Sequence, residues 1–492
     1  MTPGAASAGG PARSNAGRAK RRGGGSSTGP AAPGTAARAV AIEALVRVEA
    51  GGYSNLVLPG LLRASRLDGR DRALVTDLVY GTLRQQGQSD HLLAMASHRP
   101  LPELDPPVRA ALRLGAYQLV VGVAPHAAVG ATVGALGGWS GPVPVRRAVP
   151  YANAVLRRVA ALGPDWPWPG GDDSEAVAVR ASHPRWIVDL LRRDFGEEAG
   201  AILASANEIP AVTLRPNPLR TTPGSLAEEL TGAPAGGAAP DETSRVQVEP
   251  GRLVPGSLLV RGVGDLARLP AVAEGRATPQ DQASQAVAAA VGARPGERIL
   301  DLAAAPGGKA TALAEAMGDD GLVVAADLRP GRAGRVRDAA LRLGLRAVQT
   351  LVADGRVPPF TGGGFDRVLL DAPCSGLGVL RRRPEARWRL DPADIERLAT
   401  LQRALLTAAV AQLRPGGLLA YCVCTLTREE TLDIDAWAAH HFPALTPAPP
   451  PVPEPPWRAH GRGALLLPSD AGTDGMFLLL LQAGEGSLPA LA

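Results

Sequence analysis

Two thiols stand where a thiol can do chemistry. Cys374 lies in Asp371-Ala-Pro-Cys374-Ser-Gly376, and Cys424 in Tyr421-Cys-Val-Cys424-Thr425. Both follow apolar runs that read as buried strands, Phe365 to Leu370 and Leu418 to Val423. Strand ends on an α/β sheet are where ligands bind. A thiol placed there can serve as a nucleophile, because thiolate is the reactive form and a site can lower its pKa. The chain has 3 cysteines in 492 residues, the third being Cys422. That is too few for a disulfide framework. Cys422 and Cys424 would share one face of a strand, but no CxxC or His-rich set completes a zinc site, so no metal is expected.

Around the thiols runs a series of acids. The first strand of the region ends Ile299-Leu-Asp301-Leu-Ala303-Ala304-Ala305-Pro306-Gly307-Gly308-Lys309. Glycines after such a strand let backbone approach a ligand at the next helix N-terminus. The spacing is neither GxGxxG nor a P-loop. The second strand ends at Asp327, where an acid can bind both hydroxyls of a ribose. The third ends Val352-Ala-Asp354-Gly355, and the fourth opens the Asp371 motif. Any one of these acids could be a helix cap, but four at successive strand ends are hard to assign to folding. S-adenosylmethionine fits them better than a dinucleotide, since nothing reads as a pyrophosphate loop. Lysine occurs only at Lys20 and Lys309 in an arginine-rich chain, so Lys309 inside the Gly-rich loop is informative.

The elements that must position these groups form three regions. Residues 37–165 read as all helical, with apolar spacing for helices at Ala39–Ala50, Leu56–Ser65, Asp71–Gln86, Pro107–Val121 and Ala152–Ala161. Gly163 to Asp173 is a linker. Residues 174–275 look like a small α+β region, with a helix at Pro184–Phe195 capped by Ser182, strands at 211–215 and 257–261, and a loop at Thr231–Thr243. From residue 276 to 482 strands alternate with helices, which gives a doubly wound, mainly parallel α/β sheet of Rossmann-like type. Its strands are Arg298–Leu302, Gly321–Asp327, Val348–Ala353, Arg367–Leu370, Gly417–Val423 and a last one at 475–481. Its helices include Lys309–Met317, Arg332–Leu343 and Pro392–Leu413, and Pro443–Trp457 is a proline-rich loop.

The charge of +5 favours a polyanionic partner. Residues 1–36 carry no acid and cannot bury a core, so a disordered basic tail is expected. It is a solubilising segment or an RNA-tethering arm. Arg381, Arg382, Arg383, Arg387 and Arg389 follow the Cys374 motif, and RNA-phosphate contacts are expected of them. No apolar run spans a bilayer and no signal-peptide core precedes the fold, so a cytoplasmic chain with no membrane partner is expected.

At these residues the chain resembles the RNA cytosine-5 methyltransferases, and among them the bacterial RsmB/Sun/Fmu-type enzymes of 16S ribosomal RNA. The resemblance rests on Asp281-Gln-Ala-Ser-Gln285, Asp301 to Lys309, Asp327 with Arg332, Asp354-Gly355, Asp371 to Gly376, Arg381 to Pro384 with Arg387-Trp388, and Cys424-Thr425 followed by Glu429-Glu430. The helical region resembles the NusB-type RNA-binding domain through Asp71 to Arg84, Leu112 to Gln118 and Asn153 to Arg157. Ser182 to Trp186 matches the intervening region. The resemblance implies a class I methyltransferase domain in which Ala303, Ala304, Ala305, Pro306, Gly307, Gly308, Lys309, Asp327, Arg332, Asp354 and Asp371 line the S-adenosylmethionine site. Asp327 would hold the ribose and Asp354 lie near the adenine. The chain departs from the family at Ala303 (usually Cys), Ala310 (usually Thr), Cys422 (usually Ser) and Thr431 (often Asn).

Carbon 5 of cytosine is a poor nucleophile until a thiolate adds to carbon 6. The residues alone do not rank the two thiols. The resemblance makes Cys424 the nucleophile, Cys374 its helper in adduct breakdown, and Asp371 the group that stabilises the activated base. The expected substrate is RNA, most specifically 16S ribosomal RNA, and the expected state is a monomer. An amino-group methyltransferase is disfavoured, because the fourth strand carries Asp371-Ala-Pro-Cys374 and not an Asp/Asn-Pro-Pro-aromatic motif. A non-catalytic RNA-binding factor would have lost Lys309, Asp371 or Cys424.

Overall fold

The computed structural model describes residues 34–231, 246–449 and 456–486. The basic tail up to residue 33, nearly all of the Thr231–Thr243 loop and the centre of the proline-rich loop lie outside the described residues. The N-terminal region is all helical, with helices Thr35–Glu49, Ser54–Ala64, Gly69–Arg84, Gln86–Ala96, Pro106–Val120, Pro125–Gly137 and Val149–Leu162. They pack around Ile42, Leu78, Leu92, Leu112, Leu136 and Leu156. The periodicity had given five of the seven. Gln86–Ala96 follows its predecessor after a single residue, and the sequence reading stops at Gln86, where this helix begins. Pro125–Gly137 is built from Ala and Gly, which offer no polar contrast for a period to show, and Pro125 serves as its first residue.

The middle region holds helices Ser174–Ala181, Arg185–Phe195 and Ala199–Ser205 beside a four-stranded antiparallel sheet. Its strands are β1 (Val212–Pro216), β2 (Gln247–Pro250), β3 (Leu258–Arg261) and β4 (Ala277–Pro279), in the order β2-β3-β1-β4. The expected strands correspond to β1 and β3; β2 is as long as β3 but is mostly exposed and has Val248 between Gln247 and Glu249, and β4 has only three residues. Ser182 does not cap Arg185–Phe195, which begins after Pro184 with no side-chain cap. It ends the preceding helix in left-handed backbone (φ 55°), and its hydroxyl accepts from Gly87 N–H of the helical region at 2.9 Å.

The C-terminal region is a nine-stranded mixed sheet. It comprises β5 (Arg298–Asp301), β6 (Leu322–Asp327), β7 (Val348–Val352), β8 (Phe365–Asp371), β9 (Leu413–Val423), β10 (Leu445–Pro447), β11 (Arg458–His460), β12 (Gly463–Leu466) and β13 (Met476–Ala483). The order is β11-β12-β13-β9-β8-β5-β6-β7, with β10 on β13. Strands β5 to β9 are parallel, and β13 runs antiparallel to β9. Helices on both faces bury them, so Val368–Leu370 and Leu419–Val423 are apolar without alternation, Cys422 included. Strand order reverses at β5, between β6 and β8, and a reversal of this kind opens a crevice at the carboxyl ends. Within the expected loop Pro443–Trp457, β10 pairs with β13 through Leu445, a short strand that the prolines had hidden.

Candidate active site

The carboxyl ends of β5, β6, β8 and β9 bring the acids and thiols together. Parallel register sets Asp371 opposite Cys422 on neighbouring strands. The helix Gly308–Ala316 starts from Gly307 at φ 106°, where an added Cβ would lie 3.1 Å from Val336 Cα. That turn places Lys309 in the helix's first turn, and its Nζ donates to Asp371 Oδ2 at 2.7 Å. Burial disfavours the Lys309 ammonium, but the charge of Asp371, its hydrogen bond and the interactions with Cys422 and Cys424 together outweigh burial, and the Lys309 pKa lies above the usual lysine value. Asp371 Oδ1 accepts from the Cys422 thiol at 3.4 Å, a contact foreseen for neither residue. Burial, then Asp371, pushes the Cys422 thiol well up, so it stays a neutral donor.

Cys374 and Cys424 have free thiols with their sulfurs 3.4 Å apart. Two backbone links hold the loops that carry them. Gly378 N–H donates to Cys424 O at 3.0 Å, and Gly475 N–H donates to Gly378 O at 2.8 Å. A Cβ at Gly378 would lie 2.4 Å from Gly475 O, so only glycine allows this approach. The Cys374 pKa is raised well above the usual thiol value, first by its hydrogen bond with Cys424, then by burial and the charges of Cys424, Glu430 and Asp371.

The remaining acids line the crevice toward β7. Asp301 is fully buried, its Oδ2 has no hydrogen-bond partner among the described residues, and burial together with Asp371 raises its pKa to about 7. An orphaned acceptor of this kind fits a ligand that brings positive charge. Asp327 accepts from Arg332 Nε at 3.0 Å and from Arg329 N–H at 3.1 Å, while Arg332 also reaches Ala305 O at 3.2 Å. Ala304 N–H pairs with Ala326 O at 2.9 Å, which ties the glycine-rich loop to β6. Asp354 lies two residues past β7, gripped by Arg356 at 2.6 Å, and that pairing lowers its pKa to about 2. Leu328 (61% exposed) follows Asp327, and Val352 (51% exposed) is Asp327's partner in register. These two exposed apolar side chains escaped the sequence reading, although a large apolar residue directly after a strand-end acid was the available signal. Among the described residues no group of three or more His, Cys, Asp or Glu could hold a metal ion.

The arginine run does not present a phosphate-binding face. Arg387 is fully buried, donating to Asn207 Oδ1 at 2.7 Å, Ala206 O at 3.0 Å and Ser182 O at 3.1 Å. Arg382 pairs with Asp281 and Asp474. Arg381 donates to Thr473 O at 3.1 Å, and Arg389 to the backbone carbonyls of Val48 and Gly52 in the helical region. Arg383 alone of the run is exposed without a side-chain hydrogen bond among the described residues, its guanidinium lying 5.7 Å from the Tyr53 ring centroid. Glu385 accepts from Ser54 N–H and Oγ at 3.0 and 2.9 Å. The segment after Cys374 is therefore the joint between all three regions. Charge and composition could not reveal this, because the acceptors are carbonyls distant in sequence.

Comparison with known proteins agrees with this fold. Residues 288–482 match the 16S rRNA methyltransferase RsmB/F family, 35–161 the NusB family, and 183–243 the RsmF/B-like ferredoxin-like domain. A Mycobacterium tuberculosis protein named as a methyltransferase is 39% identical over 466 residues, covering 91% of this chain and 96% of its own. The ribosomal RNA small subunit methyltransferase B of Pseudomonas putida is 37% identical over 407 residues, covering 82% and 88%. The crystal structure of PH0851 superposes with a TM-score of 0.78 at 26% identity, covering 91% of this chain and 98% of that one. With its helical NusB domain, its small middle sheet and a methyltransferase sheet served by S-adenosylmethionine, the chain belongs to the RsmB/F family of 16S rRNA methyltransferases.

Proposed function

We propose that the protein methylates carbon 5 of a cytosine in 16S ribosomal RNA through a covalent cysteine–cytosine adduct. The observation that carries this reading is the 3.4 Å approach of the Cys374 and Cys424 sulfurs beside the Lys309–Asp371 pair. Bound in the crevice, S-adenosylmethionine supplies an electrophilic methyl group. Its holders would be Ala303 to Lys309, Asp327, Arg332, Asp354 and Asp371, with Leu328 and Val352 offering apolar surface to a flat ring. The Cys424 thiolate forms a bond to carbon 6 of the base, and carbon 5 gains enamine character. Asp371, held on both oxygens and 32% exposed at its side chain, presents a carboxylate edge to the cytosine amidine. After methylation the carbon-5 proton passes to solvent water, and the carbon–sulfur electron pair returns to Cys424. The neutral Cys374 thiol donates to that sulfur as it leaves. A base must leave its stack to reach this crevice, which favours a single-stranded or looped cytosine.

The test replaces each cysteine with alanine and measures methyl transfer and RNA crosslinking. Cys424→Ala loses turnover and forms no adduct, whereas Cys374→Ala loses turnover and accumulates one. Turnover retained in Cys424→Ala would refute the assignment. Bisulfite sequencing of ribosomal RNA from a deletion strain identifies the lost 5-methylcytosine. Calorimetry with S-adenosylmethionine separates this reading from a non-catalytic RNA-binding factor.

A further inference from the structure

Glu430 is fully buried, yet it forms no salt bridge among the described residues. A buried carboxylate without a cation is costly unless hydrogen bonds replace its water. Four donors do so here. Oε1 accepts from Ser375 N–H and Gln402 Nε2, both at 2.9 Å, and Oε2 accepts from Thr427 Oγ1 at 2.8 Å and from the Ser375 hydroxyl. The direction of the Gln402 amide follows from its nitrogen, which faces two groups that can only accept, Glu430 Oε1 and Pro373 O. The same Gln402 amide donates to Pro373 O at 2.9 Å, so Cys374 is gripped through the residue on each side of it. Thr425, next to Cys424, shares a 2.6 Å hydrogen bond with the Ser375 hydroxyl. One carboxylate thus ties the Cys374 loop to the Cys424 loop.

Charge is also distributed unevenly about the sulfur pair. The titratable groups facing it are Lys309 and Asp371 on one side, Cys422 and Tyr421 from β9, and Glu430 behind Cys374. Lys309 interacts with Cys424, while the Cys374 pKa is raised first by its hydrogen bond with Cys424 and by burial, and then by the charges of Cys424, Glu430 and Asp371. Negative charge disfavours a thiolate and positive charge favours it.

We propose that Glu430 is a positioning residue for the cysteine pair: by tying the Cys374 loop to the Cys424 loop it sets the sulfur-to-sulfur approach, and it places negative charge beside Cys374. The inference rests on the assignment of Cys424 as nucleophile and Cys374 as helper. The test follows alkylation of each cysteine against pH by mass spectrometry in the full chain, together with kcat and the Kd of S-adenosylmethionine. In Glu430→Gln, which keeps shape but loses the charge, the Cys374 alkylation midpoint falls by about one pH unit. Turnover drops at least tenfold, and cofactor affinity stays within twofold. Ser375→Ala, which removes one hydroxyl donor, lowers kcat in the same sense by a smaller factor. Wild-type kcat and Cys374 profile in both variants would overturn the proposal. So would loss of cofactor binding in step with turnover, since that marks a merely structural role. An adduct trapped on Cys374 of the wild-type enzyme would instead sink the assignment beneath it, whatever Glu430 does.

Discussion

Replacing Arg387 separates two roles that an arginine beside an RNA site can play. If it were a phosphate contact, its removal would lower the slope of log K against log salt by about 0.7 for single-stranded RNA and leave the fold alone. The structure gives the opposite expectation. Arg387 is fully buried on three neutral acceptors, and burial, then Arg84, lowers its pKa to about 9. Each of its hydrogen bonds, with a charged donor, contributes roughly 1.5–3 kcal/mol, and burying the guanidinium costs several kcal/mol against them. The net value of the arginine is therefore small, but its removal is not neutral. Arg387→Ala leaves Ser182 O, Ala206 O and Asn207 Oδ1 buried without their donor, at about 1–3 kcal/mol each, beside an empty volume. With the burial cost of the guanidinium no longer incurred, the net loss is about 3–5 kcal/mol, as for removal of one partner from a buried charged contact. Arg387→Lys keeps the charge but cannot reproduce the planar fork, so it loses about half as much. Denaturant unfolding measures the stability change, and a salt titration of RNA binding, at a temperature where each variant is folded, measures the slope. An Arg387→Ala protein of wild-type stability with a slope reduced by about 0.7 would refute the reasoning.

Asp301 gives a pH dependence with a definite sign. Its folded pKa of about 7 lies above its unfolded value, so the native state binds the proton more tightly. Its contribution is fully present below about pH 4 and is lost as pH rises through 7, about 4 kcal/mol at most for some three pKa units. Asp301→Asn should flatten that decline in denaturant unfolding between pH 5 and 8, and an unchanged pH slope would exclude the role. Cys422→Ser should keep turnover within about threefold in a methyl-transfer assay, because Cys422 only donates to Asp371 and a hydroxyl can replace it. A loss beyond tenfold would mean that the third thiol takes part in the chemistry.

The site was legible in the sequence where one residue type had one use. Glycines at a βα turn, acids at strand ends and cysteines after apolar runs each carry their chemistry locally, and the parallel sheet aligns them by register alone. The arginine run failed because arginine has two uses that a sequence cannot separate. A guanidinium facing phosphate and one facing backbone carbonyls look alike until the fold shows which acceptors arrive. Here they arrive from Val48, Ser182 and Ala206, regions read as separate domains. Cys422 failed differently, since its role is a register pairing with Asp371 across two strands. Both failures point to one property of the molecule. The segment from Cys374 to Leu390 starts at one of the two paired thiols and is tied to the helical region, the middle region and the methyltransferase region. A shift of the helical region must therefore strain the backbone that begins at Cys374. The arginines that bond Ser182, Ala206, Val48 and Gly52 hold that segment against two other regions, which is a use that only the assembled fold can give them.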